Sequence, residues 1–126
     1  MNLWDELKFD KNGLLTAIVV DDASGDVIMC AFMNDEALRK TLETGLMHYY
    51  SRSRGKLWLK GETSGHTQEV RRVALDCDGD ALVFRVKQNV AACHTGRFSC
   101  FHRVLSDDKT TLRVEGELVF DPSTVY

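Results

Sequence analysis

The chain is predicted to be an α+β protein, mainly antiparallel β with one clear helix, folded as a compact single domain over residues 1–126. Three observations predict this. Short runs rich in β-branched residues recur between turn residues. Only one segment combines helical spacing with caps at both ends. The length of 126 residues allows one core but not two. A parallel α/β sheet would need more crossover helices than the sequence supplies.

Leu14 to Val20 reads as a strand, Ala23-Ser24-Gly25-Asp26 as a turn, and Val27 to Met33 as the return strand. Asn34 is an N-cap, with Asp35 and Glu36 suited to the first helical turn. Ala37, Leu38, Thr41 and Leu42 follow helical spacing as the apolar set, and Gly45 stops the helix. Met47 to Tyr50 forms a third strand leading into a basic loop. Gln68 to Cys77 and Ala81 to Lys87 are two strands joined at Asp78-Gly79-Asp80. Val73, Leu75 and Cys77 share one face, as do Leu82, Phe84 and Val86. Cys93 to Cys100 has no period and reads as a loop. The tail from 105 to 126 holds a hairpin around Glu115-Gly116 and no obvious chemistry.

Composition narrows the function classes. The net charge of −3 gives no broad basic surface, so nucleic acid is not an expected partner. No apolar run approaches the roughly 20 residues that span a bilayer, and no signal-peptide pattern opens the sequence. Four cysteines (Cys30, Cys77, Cys93, Cys100) are too few for a secreted disulfide scaffold, so a reducing cytoplasm is the expected compartment. Arg52, Arg54, Lys56 and Lys60 cluster near Tyr49, Tyr50 and Trp58, a pocket's worth of positive charge suited to a small phosphorylated molecule.

The densest chemistry is Asp76-Cys77-Asp78-Gly79-Asp80, followed by Cys93-His94 and Cys100. Thiolates select zinc, whereas carboxylates suit hard cations such as magnesium. In an extended segment Asp76, Asp78 and Asp80 would share one face and Cys77 the other, so two adjacent sites are expected. An EF-hand does not fit, because Ala81 and Lys87 stand where glycine and glutamate are required. Core packing of the cysteines is the plain alternative, as is a simple polar turn for the aspartates. Three thiolates with an open fourth position describe a catalytic zinc site, in which bound water reaches a pKa of about 7. His94, next to a proposed ligand, is placed as general acid or base, or as a hydrogen-bonding partner of the metal shell. His48 and His66 have weaker claims, and His102 reads as structural. If Cys93 and Cys100 lie on one loop, they can reach Cys77 of a second chain as readily as their own. A dimer with metal at its interface would solve that geometry. In Leu57 to Gly65, glycines allow close backbone approach, Thr63 and Ser64 offer hydroxyls to phosphate oxygens, and Lys60 adds a point charge. An ordinary glycine-rich turn is the alternative there.

Taken in order, Met33-Asn34 with Glu36-Ala37-Leu38, Ser51-Arg52-Ser53-Arg54, Leu57-Trp58 and Lys60-Gly61-Glu62-Thr63-Ser64-Gly65 make a collinear set. Asp76-Cys77-Asp78 with Asp80, Ala92-Cys93-His94-Thr95-Gly96 and Ser99-Cys100-Phe101 complete it. This set, over roughly residues 8 to 104, resembles the phosphoribosyl-AMP cyclohydrolases of histidine biosynthesis. The resemblance implies an intertwined homodimer with zinc on Cys77, Cys93 and Cys100 drawn from both subunits, and magnesium on Asp76, Asp78 and Asp80. It implies hydrolysis of the N1–C6 bond of 1-(5-phosphoribosyl)-AMP by zinc-activated hydroxide with magnesium assistance, for which His94, from its place beside Cys93, is the expected catalytic side chain. Substrate contacts are implied at Arg52, Ser53, Arg54, Trp58, Lys60, Glu62, Thr63, Ser64 and Gly65. Val90 stands where glycine is usual, His102 where an aromatic is frequent, and Val20 where glutamine is common. Many such proteins carry a fused pyrophosphohydrolase domain, and a chain of this length is expected to rely on a separate protein for that step.

Two rival classes remain. A nucleobase deaminase would place glutamate beside its first ligand and use a paired C-x-x-C, neither of which occurs here. A non-enzymatic zinc-stapled interaction module would need a fourth protein ligand and leaves the aspartates without a task.

Overall fold

In the computed structural model, which describes residues 1–126, the chain runs α1 (Leu3–Glu6), β1 (Leu15–Asp21), β2 (Val27–Met33), α2 (Asp35–Thr44), β3 (His48–Ser51) and β4 (Lys56–Leu59). It continues through β5 (Gln68–Leu75), β6 (Ala81–Gln88), β7 (Arg103–Leu105), β8 (Leu112–Val114) and a short 3-10 turn (Pro122–Thr124). Four strands form the main sheet in the order β2-β1-β6-β5. Both hairpins in it are antiparallel, and they join through a parallel β1–β6 pair at its centre. Period-2 alternation sets its faces. Leu82, Phe84 and Val86 of β6 point inward as expected, beside Leu15, Ala17 and Val19 of β1.

Helix α2 closes this core. The Asn34 side chain accepts the Ala37 N–H at 2.8 Å, and Gly45, at φ +77°, donates its N–H to Thr41 O at 2.9 Å. Ala37, Leu38 and Thr41 are buried, but Leu42 is exposed, which corrects the expected apolar set. Thr41 takes the inner position because its hydroxyl bonds both Ala37 O and the His48 N–H. The third strand begins one residue later than expected, and the basic segment after it is half strand: β3 and β4 pair across Arg52–Gly55. Tyr49 and Trp58 pack across that pair with ring centroids 5.1 Å apart.

Two further expectations are corrected. β5 ends at Leu75, so Cys77 leaves the sheet and is exposed instead of sharing a face with Val73 and Leu75. The tail hairpin turns at Ser106–Thr111, not at Glu115-Gly116. Asp108 fixes that turn by accepting the N–H groups of Thr110 and Thr111. No helix is long and apolar enough to cross a membrane.

Candidate active site

The cysteine loop closes on itself. Ala92 N–H donates to Phe98 O at 2.9 Å, Cys93 N–H to Arg97 O at 3.2 Å, and Gly96 N–H back to Cys93 O at 3.2 Å. Cys100 N–H reaches Ile28 O at 2.7 Å, and Ser99 Oγ reaches Val27 O at 2.9 Å, so the loop is stitched to the start of β2. These bonds set Cys93 and Cys100 against each other. Cys93 is buried, with its sulfur 2.9 Å from Thr95 Oγ1. Cys100 is exposed as a residue, yet burial on one side of its sulfur, reinforced by Cys93, pushes its thiol up to about 11. Lys60 pulls the other way. Its ammonium is buried and donates to Ala92 O at 2.5 Å, so Lys60 tethers the cysteine loop from beneath instead of presenting a free charge to phosphate. Burial lowers its pKa, opposed by Cys100 and Cys93.

Beside this loop lies a cleft of about 250 Å³ lined by Arg54, Trp58, Lys60, Glu62, Thr63, Ser64 and His94, among others. Thus His94 and six of the nine expected substrate residues come together. Arg52 and Ser53 line a neighbouring groove that shares Arg54 and Trp58 with the cleft. The Arg52 guanidinium stacks on Phe32 at 4.1 Å. Gly65, at φ +80°, forms the turn that leads from the cleft to His66. Glu62 Oε2 accepts the Leu59 N–H at 3.4 Å, which holds the acidic side chain at the cleft wall.

Asp76, Asp78 and Asp80 also converge, with one carboxylate oxygen of each within 4.8 Å of the others. Strand alternation is not the cause, which corrects the expectation: residues 77–80 form a tight turn. Gly79 sits at φ +76°, and a Cβ there would lie 2.3 Å from Glu6 O, so only glycine lets the turn dock on α1. Slight burial works to raise Asp76, but the N–H groups of Ala81, Asp80 and Gly79, together with the Asp80 side chain, hold it below the usual carboxylate range. Asp80 is pushed upward by its hydrogen bond to Asp76 and then by the charges of Asp76 and Asp78. Three hard oxygens in mutual repulsion fit a divalent cation such as magnesium. The paired soft sulfurs of Cys93 and Cys100 fit zinc, with coordination positions left for further ligands.

Cys77 does not join them. It precedes β6 and the cysteine loop follows it, so the eight-residue strand, about 23 Å long, lies between them. Within one chain the acidic and thiol sets therefore lie at opposite ends of β6. A polypeptide turn and a loop at opposite ends of one strand cannot meet without unpairing the sheet.

The arrangement has relatives. A sequence model of the phosphoribosyl-AMP cyclohydrolase family matches residues 29–102. The chain belongs to the phosphoribosyl-AMP cyclohydrolase family. It is 56% identical over 122 residues to the phosphoribosyl-AMP cyclohydrolase of Methanococcoides burtonii, covering 97% of each chain. To that of Methanothermobacter thermautotrophicus it is 51% identical over 128 residues, covering 100% of this chain and 93% of the relative. It is also 49% identical over 125 residues to a histidine biosynthesis bifunctional protein of Thermoanaerobacter pseudethanolicus, covering 99% of this chain and 57% of that one. This chain is accordingly an enzyme of the hydrolase class.

Two features of this cyclohydrolase-family site were not legible in the sequence. Tyr126 also lines the cleft, its ring 6.2 Å from that of His94 in an edge-to-face contact. Phe120 covers His66 in the same manner at 4.7 Å. Neither belongs to a motif, and only the path of the tail brings them there. Val90, where the resemblance led glycine to be expected, adopts φ +64°, the left-handed region that glycine occupies without strain.

Proposed function

We propose that this chain hydrolyses the N1–C6 bond of 1-(5-phosphoribosyl)-AMP, giving the formimino aminoimidazole carboxamide ribotide in histidine biosynthesis. One observation carries the reading: His94 shares a small cleft with Arg54, Trp58, Thr63 and Ser64, immediately beside paired cysteines. Arg54 offers a forked donor and Thr63 and Ser64 offer hydroxyls, a set that binds a phosphate end of the substrate. Arg52 and Ser53 line the adjoining groove, and they would take the second phosphate. Trp58 presents a face to the purine. His94 takes one proton from the attacking water and delivers it to N1 as the water oxygen bonds to C6 and N1–C6 breaks, while the second proton passes to the exocyclic nitrogen that becomes the carboxamide NH2.

Cys93 and Cys100 would hold zinc, which when bound supplies an acidified water at neutral pH. Asp76, Asp78 and Asp80 would hold magnesium, which when bound supplies positive charge for substrate oxygens. Because Cys77 lies about a strand length away, the third thiolate comes from a second copy, whose acidic turn arrives with it. An intertwined homodimer built this way also gives a partner to Phe101, Leu105, Leu112, Val114, Leu118 and Val119, which are all exposed in one chain. The free cysteines suit a reducing compartment, and the cytoplasm is the proposed location.

The test is turnover of phosphoribosyl-AMP, followed by the ultraviolet change on ring opening, with magnesium and with a chelator. Activity that needs magnesium, is lost to the chelator and is restored by zinc is the expected result. No turnover from zinc-loaded protein supplied with magnesium contradicts the reaction, and turnover indifferent to metal removal contradicts the metal roles.

A further inference from the structure

The tail passes back over the cysteine loop and is seated on it. Val119 N–H donates to Gly96 O at 2.7 Å, and Arg97 Nη1 donates to Gly116 O at 2.6 Å. Gly96, at φ +96°, is so tightly covered that a Cβ there would lie 2.7 Å from Phe120 O. Two aromatic contacts follow from this seat. Phe120 packs edge-on against His66, whose Nδ1 is buried without a hydrogen-bond partner, so ring packing orients that imidazole. Tyr126, 6.1 Å from Phe120, packs edge-on against His94 at 84° between ring planes.

His94 is exposed and makes no hydrogen bond through its ring within the chain. On the tail side, Tyr126 is the aromatic ring that packs against it. An exposed imidazole free to rotate must be ordered at each turnover, whereas one held against an aromatic edge is ordered in advance. We propose that Tyr126 is a positioning residue for His94, and that the strap of residues 116–126, anchored through Gly96 and Phe120, is part of the active site. This rests on the proposed role of His94 in proton transfer.

The experiment compares Tyr126→Ala and Tyr126→Phe with the zinc-loaded full chain. Expected for Tyr126→Ala is a fall in kcat of about 3- to 10-fold, the size of one aromatic pair contact, with KM unchanged and zinc content intact. Tyr126→Phe keeps the ring and restores kcat. The His94 ring-proton resonance shifts in Tyr126→Ala, because the ring current of the tyrosine is removed, and stays in place in Tyr126→Phe. A wild-type kcat in Tyr126→Ala overturns the proposal, as does an unmoved His94 resonance. A rise in KM at constant kcat overturns it too, by making Tyr126 a substrate contact. If the wild type itself does not turn over, the reading of the reaction has failed, and the resonance still decides the contact.

Discussion

The acidic turn and the cysteine loop are built alike and differ in what they complete. Each follows a strand of the main sheet, each is pinned by a buried glycine, and each is clamped by a chain terminus. Gly79 is pressed against Glu6 of α1, and Gly96 against Phe120 of the tail. The acidic turn gathers all three of its ligands within five residues of sequence, so it is complete in one chain. The cysteine loop gathers two of three and leaves Cys77 at the far end of β6. A set gathered by a local turn needs little loop closure, whereas Cys77 lies a strand length from the cysteine loop, and in the proposed function a second chain supplies it. On the proposed reading, folding alone makes the first set, and the second is completed by association.

That contrast can be broken or sharpened by substitution. The largest effect is expected for Gly79→Ala. The added methyl meets Glu6 O and the residue must keep φ +76°, which together cost about 2–3 kcal/mol in urea unfolding and spread the carboxylates. Wild-type stability in that variant would show that the turn does not depend on docking to α1. Next comes Asp78→Asn, which should weaken the magnesium dependence of turnover at least about tenfold and leave the zinc content unchanged. An unchanged magnesium response would remove the acidic turn from metal binding. The smallest effect is expected for Val90→Gly. Relief of the left-handed conformation returns about 1–2 kcal/mol, less about 0.4–1 kcal/mol for the freer unfolded chain. Val90 is 48% exposed, so little burial is lost, and the net gain is about 1 kcal/mol in the same unfolding assay. A loss of stability would mean that Val90 packs usefully despite its backbone.

The same difference in range explains what was legible in the sequence. The β1–β2 and β5–β6 hairpins, the Asn34 cap and the Gly45 stop are written in local pattern, and the structure reproduces them. The carboxylate set was found for an incorrect reason, since a turn and not a strand brings the oxygens together. The parallel β1–β6 pairing, which joins the two hairpins at the centre of the sheet, is a tertiary choice with no local signal. Lys60 looked like a surface charge because nothing in its neighbours foretells that Ala92 O will take its ammonium. The aromatic seat of Phe120 and Tyr126 was hidden for the same reason. Each contact joins residues more than 30 apart, where periodicity carries no information.

The claim that the thiol site is shared between chains is tested most directly by mixing two inactive variants, Cys77→Ser and Cys93→Ser, under conditions that exchange subunits. In a mixed dimer one of the two sites regains a full set of cysteines, Cys77 from one chain and Cys93 with Cys100 from the other. Random mixing should then restore about a quarter of wild-type turnover, with a matching recovery of bound zinc. A mixture that exchanges subunits yet stays inactive and zinc-poor would contradict the account, since it would place all three cysteines of a site on one chain.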